Sequence, residues 1–189
     1  MSLFTDIVKR YEATNTSIGT DKCTTHSYGE VYNIIFDNYK NTTGNILEIG
    51  ISGGFGLCAY VDYFKDAQIY GIDIEDICTT KIKNHERVHL YFGDATLQEN
   101  VDKFNIMYDI VIEDGSHLPE HQIKHFVDFS KFVKPGGTYI IEDVHEMYVD
   151  TISKILNPIA ENTGFSMEVI DLREKKNRFD DIIIVFKRV

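Results

Sequence analysis

The chain has 189 residues, with 19 Lys and Arg against 30 Asp and Glu, for a formal net charge of −11. That length is of the order of one domain, and 43% apolar with 26% charged residues is globular composition, not disordered or fibrous. The acidic balance counts against duplex nucleic acid and anionic membranes as main partners, because both are held by clustered Lys and Arg.

No run approaches the ~18 apolar residues of a membrane span. Met1 to Asp6 has neither the basic start nor the apolar run of a signal peptide. Cys23, Cys58 and Cys78 form no C-x-x-C and read as reduced thiols. The sequons at Asn15 and Asn41 then read as chance, and the expected location is cytoplasmic.

Roughly the first 40 residues read as a helical arm, amphipathic over Ser27 to Tyr39 and placed to cover the mouth of whatever follows. Asn45 to Ile49 is a short apolar run ending in glycines, the pattern of a buried strand turning into a helix. Gln68–Ile72 and Val88–Phe92 are further strands, each ending in Asp after glycine. Tyr108–Ile112 and Thr138–Ile141 are the fourth and fifth. Pro119 to Val133 carries apolar residues at helical spacing up to Lys134-Pro135-Gly136-Gly137, read as its stop. Met147–Asn162 is another helix. Two β-rich runs follow, Phe165–Leu172 and Asp181–Phe186, separated by the charged Arg173–Arg178, read as a solvated hairpin turn. The alternation of strands and helices predicts a parallel α/β sheet with an antiparallel C-terminal edge.

The densest motif is Leu47-Glu48-Ile49-Gly50-Ile51-Ser52-Gly53-Gly54-Phe55-Gly56. Glycines directly after a first strand let backbone approach a ligand beside a helix N-terminus. Their spacing does not fit the dinucleotide G-x-G-x-x-G. Gly71-Ile72-Asp73-Ile74 places a carboxylate where it can accept from ribose hydroxyls. Phe92-Gly93-Asp94-Ala95 places another within reach of an adenine amino group. Either aspartate alone reads equally as a cap or turn residue; in order they describe a nucleoside pocket.

Together with Lys134-Pro135-Gly136-Gly137, these motifs resemble the class I S-adenosylmethionine-dependent methyltransferases over about residues 44 to 189. The resemblance implies a Rossmann-like three-layer α/β sandwich with a mostly parallel seven-stranded sheet and an antiparallel C-terminal strand. It implies one methyltransferase domain, with 1–43 as arm or lid and 44–189 as core. It also implies S-adenosylmethionine held by Glu48, Gly50, Ser52, Gly54, Asp73, Ile74, Asp94 and Ala95.

In that fold the ends of strands four and five, Ile112-Glu113-Asp114-Gly115-Ser116-His117 and Ile140-Ile141-Glu142-Asp143, are neighbours. Converging carboxylates repel unless a cation neutralises them, and oxygen ligands suit Mg²⁺ first, with Mn²⁺ or Ca²⁺ as alternatives. With Gly19-Thr20-Asp21-Lys22 and His26-Ser27-Tyr28, the pattern is similar to the metal-dependent sugar O-methyltransferases of the macrolide-antibiotic type. That resemblance implies Asp114, Glu142 and Asp143 as metal ligands, His117 as general base and a sugar or glycoside as acceptor. A histidine base is independently reasonable, since a hydroxyl must lose its proton near neutral pH to attack a sulfonium methyl. Asp21, Lys22, His26, Tyr28 and His145 are candidates for substrate binding or a lid. His121 and His125 lack the Glu of a zinc-protease helix and read as exposed or structural. The short arm leaves the acceptor pocket open or completed by a second subunit, so a homo-oligomer is also expected. Alternatives are a catechol-type O-methyltransferase, a non-catalytic S-adenosylmethionine- or nucleotide-binding module and, weakened by the glycine spacing, a nicotinamide oxidoreductase.

Overall fold

A computed structural model describes residues 3–13, 19–41 and 44–189. The sequon at Asn15 and the remaining parts of the arm, 1–2, 14–18 and 42–43, lie outside the described residues. Helices α1 (Phe4–Val8) and α2 (Gly29–Asp37) precede the sheet. Strands β1 (Asn45–Ile49), β2 (Gln68–Asp73), β3 (Val88–Phe92), β4 (Tyr108–Glu113) and β5 (Val133–Ile141) follow. They alternate with α3 (Phe55–Tyr63), α4 (Thr80–Lys83), α5 (Gln98–Val101) and α6 (Pro119–Phe129). The chain ends with α7 (Val149–Asn162), β6 (Phe165–Asp171), the single-turn α8 (Arg173–Lys176) and β7 (Ile182–Arg188).

The seven strands form one sheet in the order β3-β2-β1-β4-β5-β7-β6. β1 to β5 are parallel, while β7 inserts antiparallel between β5 and β6. The expected α/β sheet with an antiparallel C-terminal edge is thus observed. Strand order reverses between β1 and β4, and at such a switch point the loops leaving the carboxyl ends diverge and open a crevice.

Both faces of the sheet are buried, and side-chain alternation divides the core. Ile110, Ile112 and Ile140 face one layer, with α1, α2 and α3; Val111, Tyr139 and Ile141 face the other, with α6 and α7. Such two-sided burial is why the central strands read as near-continuous apolar runs. The arm contributes to this core: Phe4 packs edge-on against Phe36 with centroids 4.8 Å apart, and Phe36 against Phe64 at 5.1 Å. Its helices are therefore a packed layer, and the 19–28 loop reaches the mouth.

Three expectations need correction. The arm helix is shorter than Ser27–Tyr39, and the described residues of the polar segment before it, 11–13 and 19–26, form turns and an isolated Glu12–Thr20 bridge instead of helix. Lys134–Gly137 does not stop α6, which ends at Phe129 and tightens into a 3-10 turn over Ser130–Phe132. Instead it bulges out of β5: Tyr108 pairs with Val133 and Ile110 with Thr138, so residues 134–137 lie outside the register. Lys134 Nζ fixes that bulge on Asp109 at 2.8 Å. Finally, Arg173–Arg178 is more than a solvated turn. Lys176 donates to the carbonyls of Cys23 at 2.6 Å and Thr24 at 2.8 Å, and Lys175 pairs with Glu30 at 2.6 Å. Loop carbonyls without a ladder need donors, and the charged run supplies them to the arm.

Phe126, fully buried between Tyr139 and Phe186, is a keystone of the α6 layer. Phe126→Ala is expected to cost about 3–5 kcal/mol, read from the urea midpoint; a cost below about 1 kcal/mol would contradict this packing.

Candidate active site

Hydrogen bonds continue the parallel ladder beyond the strand ends. Gly50 N–H donates to Ile72 O at 2.8 Å, Gly93 to Asp73 at 2.7 Å, Asp114 to Ile49 at 2.8 Å and Glu142 to Glu113 at 2.9 Å. Residues following four different strands are thereby fixed side by side. Gly50 has φ +83°, and a Cβ on it would stand 2.1 Å from the carbonyl oxygen of Asp114. Its glycine is thus required first by the close approach of the β1 and β4 ends.

A cavity of about 480 Å³ opens above these ends, within the range of small-molecule sites. Of the residues assigned to the cofactor, Glu48, Gly50, Ser52, Asp73, Ile74, Asp94 and Ala95 line it, as do Asp21, Lys22, Asp114 and His117. Gly54 lies behind the wall: it is the left-handed residue preceding α3, and a Cβ there would meet Ile82 at 2.7 Å. Asp73 serves the glycine loop, accepting from the backbone N–H groups of Ile51 and Ser52 at 2.8 Å each and of Glu75 at 3.0 Å. Asp94 Oδ1 accepts from Thr96 N–H at 2.8 Å and from its hydroxyl at 2.7 Å, which holds the carboxyl below its ordinary range.

The acids beneath the cavity have a cation of their own. Lys22 Nζ lies 2.8 Å from Asp114 Oδ2, 2.9 and 2.8 Å from the two oxygens of Glu142, and 3.3 Å from Glu48 Oε1. Its side chain is 2% exposed, as are those of Glu48 and Glu142. Burial alone would lower the ammonium's pKa, but the surrounding charges of Asp114 and Glu142 outweigh it and hold Lys22 well above the ordinary lysine range. Tyr32 donates to Glu142, and Tyr60 to Glu48 at 2.8 Å; burial raises both phenols, keeping them protonated as donors.

Of the sequence-expected metal set of Asp114, Glu142 and Asp143, Glu142 accepts from Lys22 and Tyr32. Asp143 joins Asp114 and His117, and one potential ligand atom from each lies within 4.8 Å of the others. Two carboxylates and an imidazole are a donor set suited to a hard or borderline divalent ion, so on their chemistry these residues fit one. Asp143 receives the Tyr28 hydroxyl on Oδ1, lies 3.3 Å from His26 Nδ1, and has Oδ2 3.7 Å from His117 Nε2. His26 and Tyr28 thus act behind the cavity wall, stacked on each other at 4.7 Å. His145 is not in the wall: it packs between Tyr148 and Phe179.

Ser52, His117 and Asp143, three of the four non-glycine residues with positive φ among those described, line this cavity. Such conformations are costly and persist where surrounding structure imposes them, often at functional sites. The sequence reading also missed the two phenol donors and the place of His125. His125 is buried in the wall with Nδ1 3.1 Å from Glu113, while His121 Nδ1 meets Ser116 Oγ at 2.7 Å. Their four-residue spacing on α6 was the available signal.

Burial, with the charge of Asp114, pushes Asp143 up to about 6, against the pull of His26, Tyr28 and His117. The folded chain therefore holds this proton more tightly than the unfolded one. The associated stability is complete below the ordinary value of 3.8 and is lost as pH rises through about 6. Asn tolerates the left-handed backbone at this position. Asp143→Asn is accordingly expected to raise the Tm of metal-free protein at pH 8 and leave it nearly unchanged at pH 3.5; a lower Tm at pH 8 in scanning calorimetry would contradict this.

No family model matches the chain. Over 142 residues it is 32% identical to the 8-demethyl-8-alpha-L-rhamnosyl tetracenomycin-C 2'-O-methyltransferase of Streptomyces olivaceus, covering 69% of this chain and 36% of that protein. It is 35% identical over 136 residues to the mycinamicin VI 2''-O-methyltransferase of Micromonospora griseorubida, covering 65% of this chain and 33% of that one. The chain thus spans about a third of the length of the curated relatives it matches. Its fold superposes with TM-score 0.76 and 21% identity on the methyltransferase of the mycinamycin biosynthetic pathway, solved with Mg, SAH and mycinamycin VI, covering 99% of this chain and 53% of that one. The chain thus has the fold of a solved methyltransferase and is similar in sequence, over 65–69% of its length, to these curated O-methyltransferases.

Proposed function

We propose that the chain is an S-adenosylmethionine-dependent O-methyltransferase, assisted by a divalent ion (Mg²⁺ first), that methylates a hydroxyl of a sugar or glycosylated small molecule. The observation that carries this reading is the shared cavity, lined together by the glycine loop, Asp73, Asp94, Asp114 and His117. The sugar O-methyltransferase relatives and the solved neighbour holding Mg and SAH support the same reading.

In this account Asp73 and Asp94 hold the ribose and adenine sides of the cofactor, and Asp114, Glu142 and Asp143 would hold the ion. A bound divalent ion lowers the pKa of a hydroxyl beside it. The hydroxyl gives its proton to His117, the oxygen forms a bond to the methyl carbon, and the carbon–sulfur bond breaks, leaving an ether and a neutral thioether. His117 is suited to the proton transfer because its side chain is 43% exposed at the cavity, with Nε2 3.7 Å from Asp143 Oδ2. The same proximity favours a second reading, in which His117 is the third ligand to the ion. Residues 1–43 as an arm over the 44–189 core, a cytoplasmic location and a homo-oligomeric state belong to this proposal and rest on the sequence alone.

His117→Ala is expected to lower kcat by a factor of about 10²–10⁴, the range for loss of a general base. S-adenosylmethionine binding by calorimetry should persist within about threefold. Unchanged Mn²⁺ affinity identifies the base, whereas affinity lost together with turnover identifies a ligand. Full turnover in the variant would overturn both roles.

A further inference from the structure

A second hollow, of about 610 Å³, lies where the end of β6 and α8 meet the segment after β5. Glu146, Asp171, Arg173, Asn177, Arg178 and Phe179 line it. Its walls are fixed by their own contacts. Arg173 grips Asp171 through Nε at 2.9 Å and Nη2 at 2.7 Å, and its Nη1 reaches Glu146 Oε2 at 2.6 Å, which ties β6 to the segment after β5. The backbone N–H of Glu146 donates to the carbonyl of Phe179 at 2.9 Å. The Phe179 ring packs on His145 with centroids 4.7 Å apart and lies 5.9 Å from the Arg178 guanidinium, yet the residue stays 50% exposed. Hollow and cavity are neighbours. Asp143, in the cavity wall, is three residues from Glu146, at most about 11 Å of extended backbone. Tyr28 joins the two sides: its hydroxyl donates to Asp143 and lies 3.2 Å from the carbonyl oxygen of Asp180, the residue after Phe179.

We propose that this hollow is a carbohydrate subsite that takes the ring next to the sugar being methylated, so that the acceptor is a disaccharide or longer glycoside. The inference rests on the reading of the cavity as a sugar methyltransferase site and adds to it a second ring and the residues that select it. A pyranose presents a face of C–H groups and a rim of hydroxyls. It is matched by an exposed aromatic ring beside fixed polar groups. Phe179 supplies the ring, and Arg173, Asn177 and the carboxylates supply donors and acceptors. An anion is a poorer match, because Glu146, Asp171 and Glu174 share the wall and both arginines already pair with acids. A wholly apolar ligand is poorer too, since it would strip water from these charges without replacing the hydrogen bonds.

The test is transfer of labelled methyl to methyl deoxyhexosides and to the matching disaccharides, in which a second hexose takes the place of the methyl aglycone. Wild type is expected to favour the disaccharide at least about tenfold in kcat/KM, the quantity that measures discrimination. In Phe179→Ala the preference should fall to within about twofold, and Phe179→Tyr, which keeps the ring, should restore it. A merely structural loss would lower turnover of both acceptors alike and leave their ratio unchanged. Saturation-transfer NMR on the complex with S-adenosylhomocysteine reads the same contact without turnover: the C–H protons of the second ring should be saturated by wild type and not by Phe179→Ala. If Phe179→Ala fails to fold, Asn177→Gly supplies the answer, because glycine suits the φ of +55° at this position. It should lose at least about threefold of the preference. Equal use of the two acceptors by wild type, or a preference that survives in the folded variants, would overturn this inference alone. Absence of transfer to either acceptor would overturn the sugar reading, and this inference with it.

Discussion

The structure depends on a concentration of negative charge at one edge of a parallel sheet. Because β1 to β5 run the same way, every loop that carries chemistry leaves from the same side, and Glu48, Asp73, Asp94, Asp114, Glu142 and Asp143 all come with them. Like charges at such separations cannot all remain ionised without compensation. Each acid has a different partner. Backbone N–H groups hold Asp73, Thr96 holds Asp94, Lys22 with two phenols holds Glu48 and Glu142, and Tyr28 with His26 flanks Asp143. Asp114, which also takes Lys22, and Asp143 lie beside His117, a set that could hold a divalent ion.

This arrangement connects the arm to the mouth. The aromatic residues of α1 and α2 belong to the same core layer as α3, and Lys176 fastens the intervening loop from the opposite end of the chain. Lys22 is therefore delivered to the acids by a segment anchored on both sides. The arm's part in the site is electrostatic as much as steric, and part of the net charge of −11 is compensated within the chain by Lys22.

Much of the fold was legible in the sequence, because buried parallel strands announce themselves as apolar runs ended by glycine and aspartate. β1 and β3 fall where the pattern put them, and the antiparallel pair at the C-terminus was readable from two consecutive β-rich runs. The bulge at Lys134–Gly137 was not, since Pro and Gly punctuate strands and helices alike and only the partner register distinguishes the two. In the site, strand-end aspartates could be placed by topology alone. The contacts of Lys22 with Asp114 and Glu142 could not, because they depend on side-chain direction and join residues more than ninety positions apart in the chain. The phenols of Tyr32 and Tyr60 were hidden for the same reason: at helical spacing, a core tyrosine and a hydrogen-bond donor to a buried acid look identical.

The central claim is that one cavity joins a methyl donor, a divalent ion and a base for transfer to a sugar hydroxyl. Its most direct measurement is transfer of labelled methyl from S-adenosylmethionine to deoxysugar glycosides, with and without a chelator. The account predicts labelled ether product that disappears in chelator and returns on adding Mg²⁺. Transfer that continues undiminished in chelator, or an absence of transfer to any glycoside alongside efficient methylation of catechols, would contradict it.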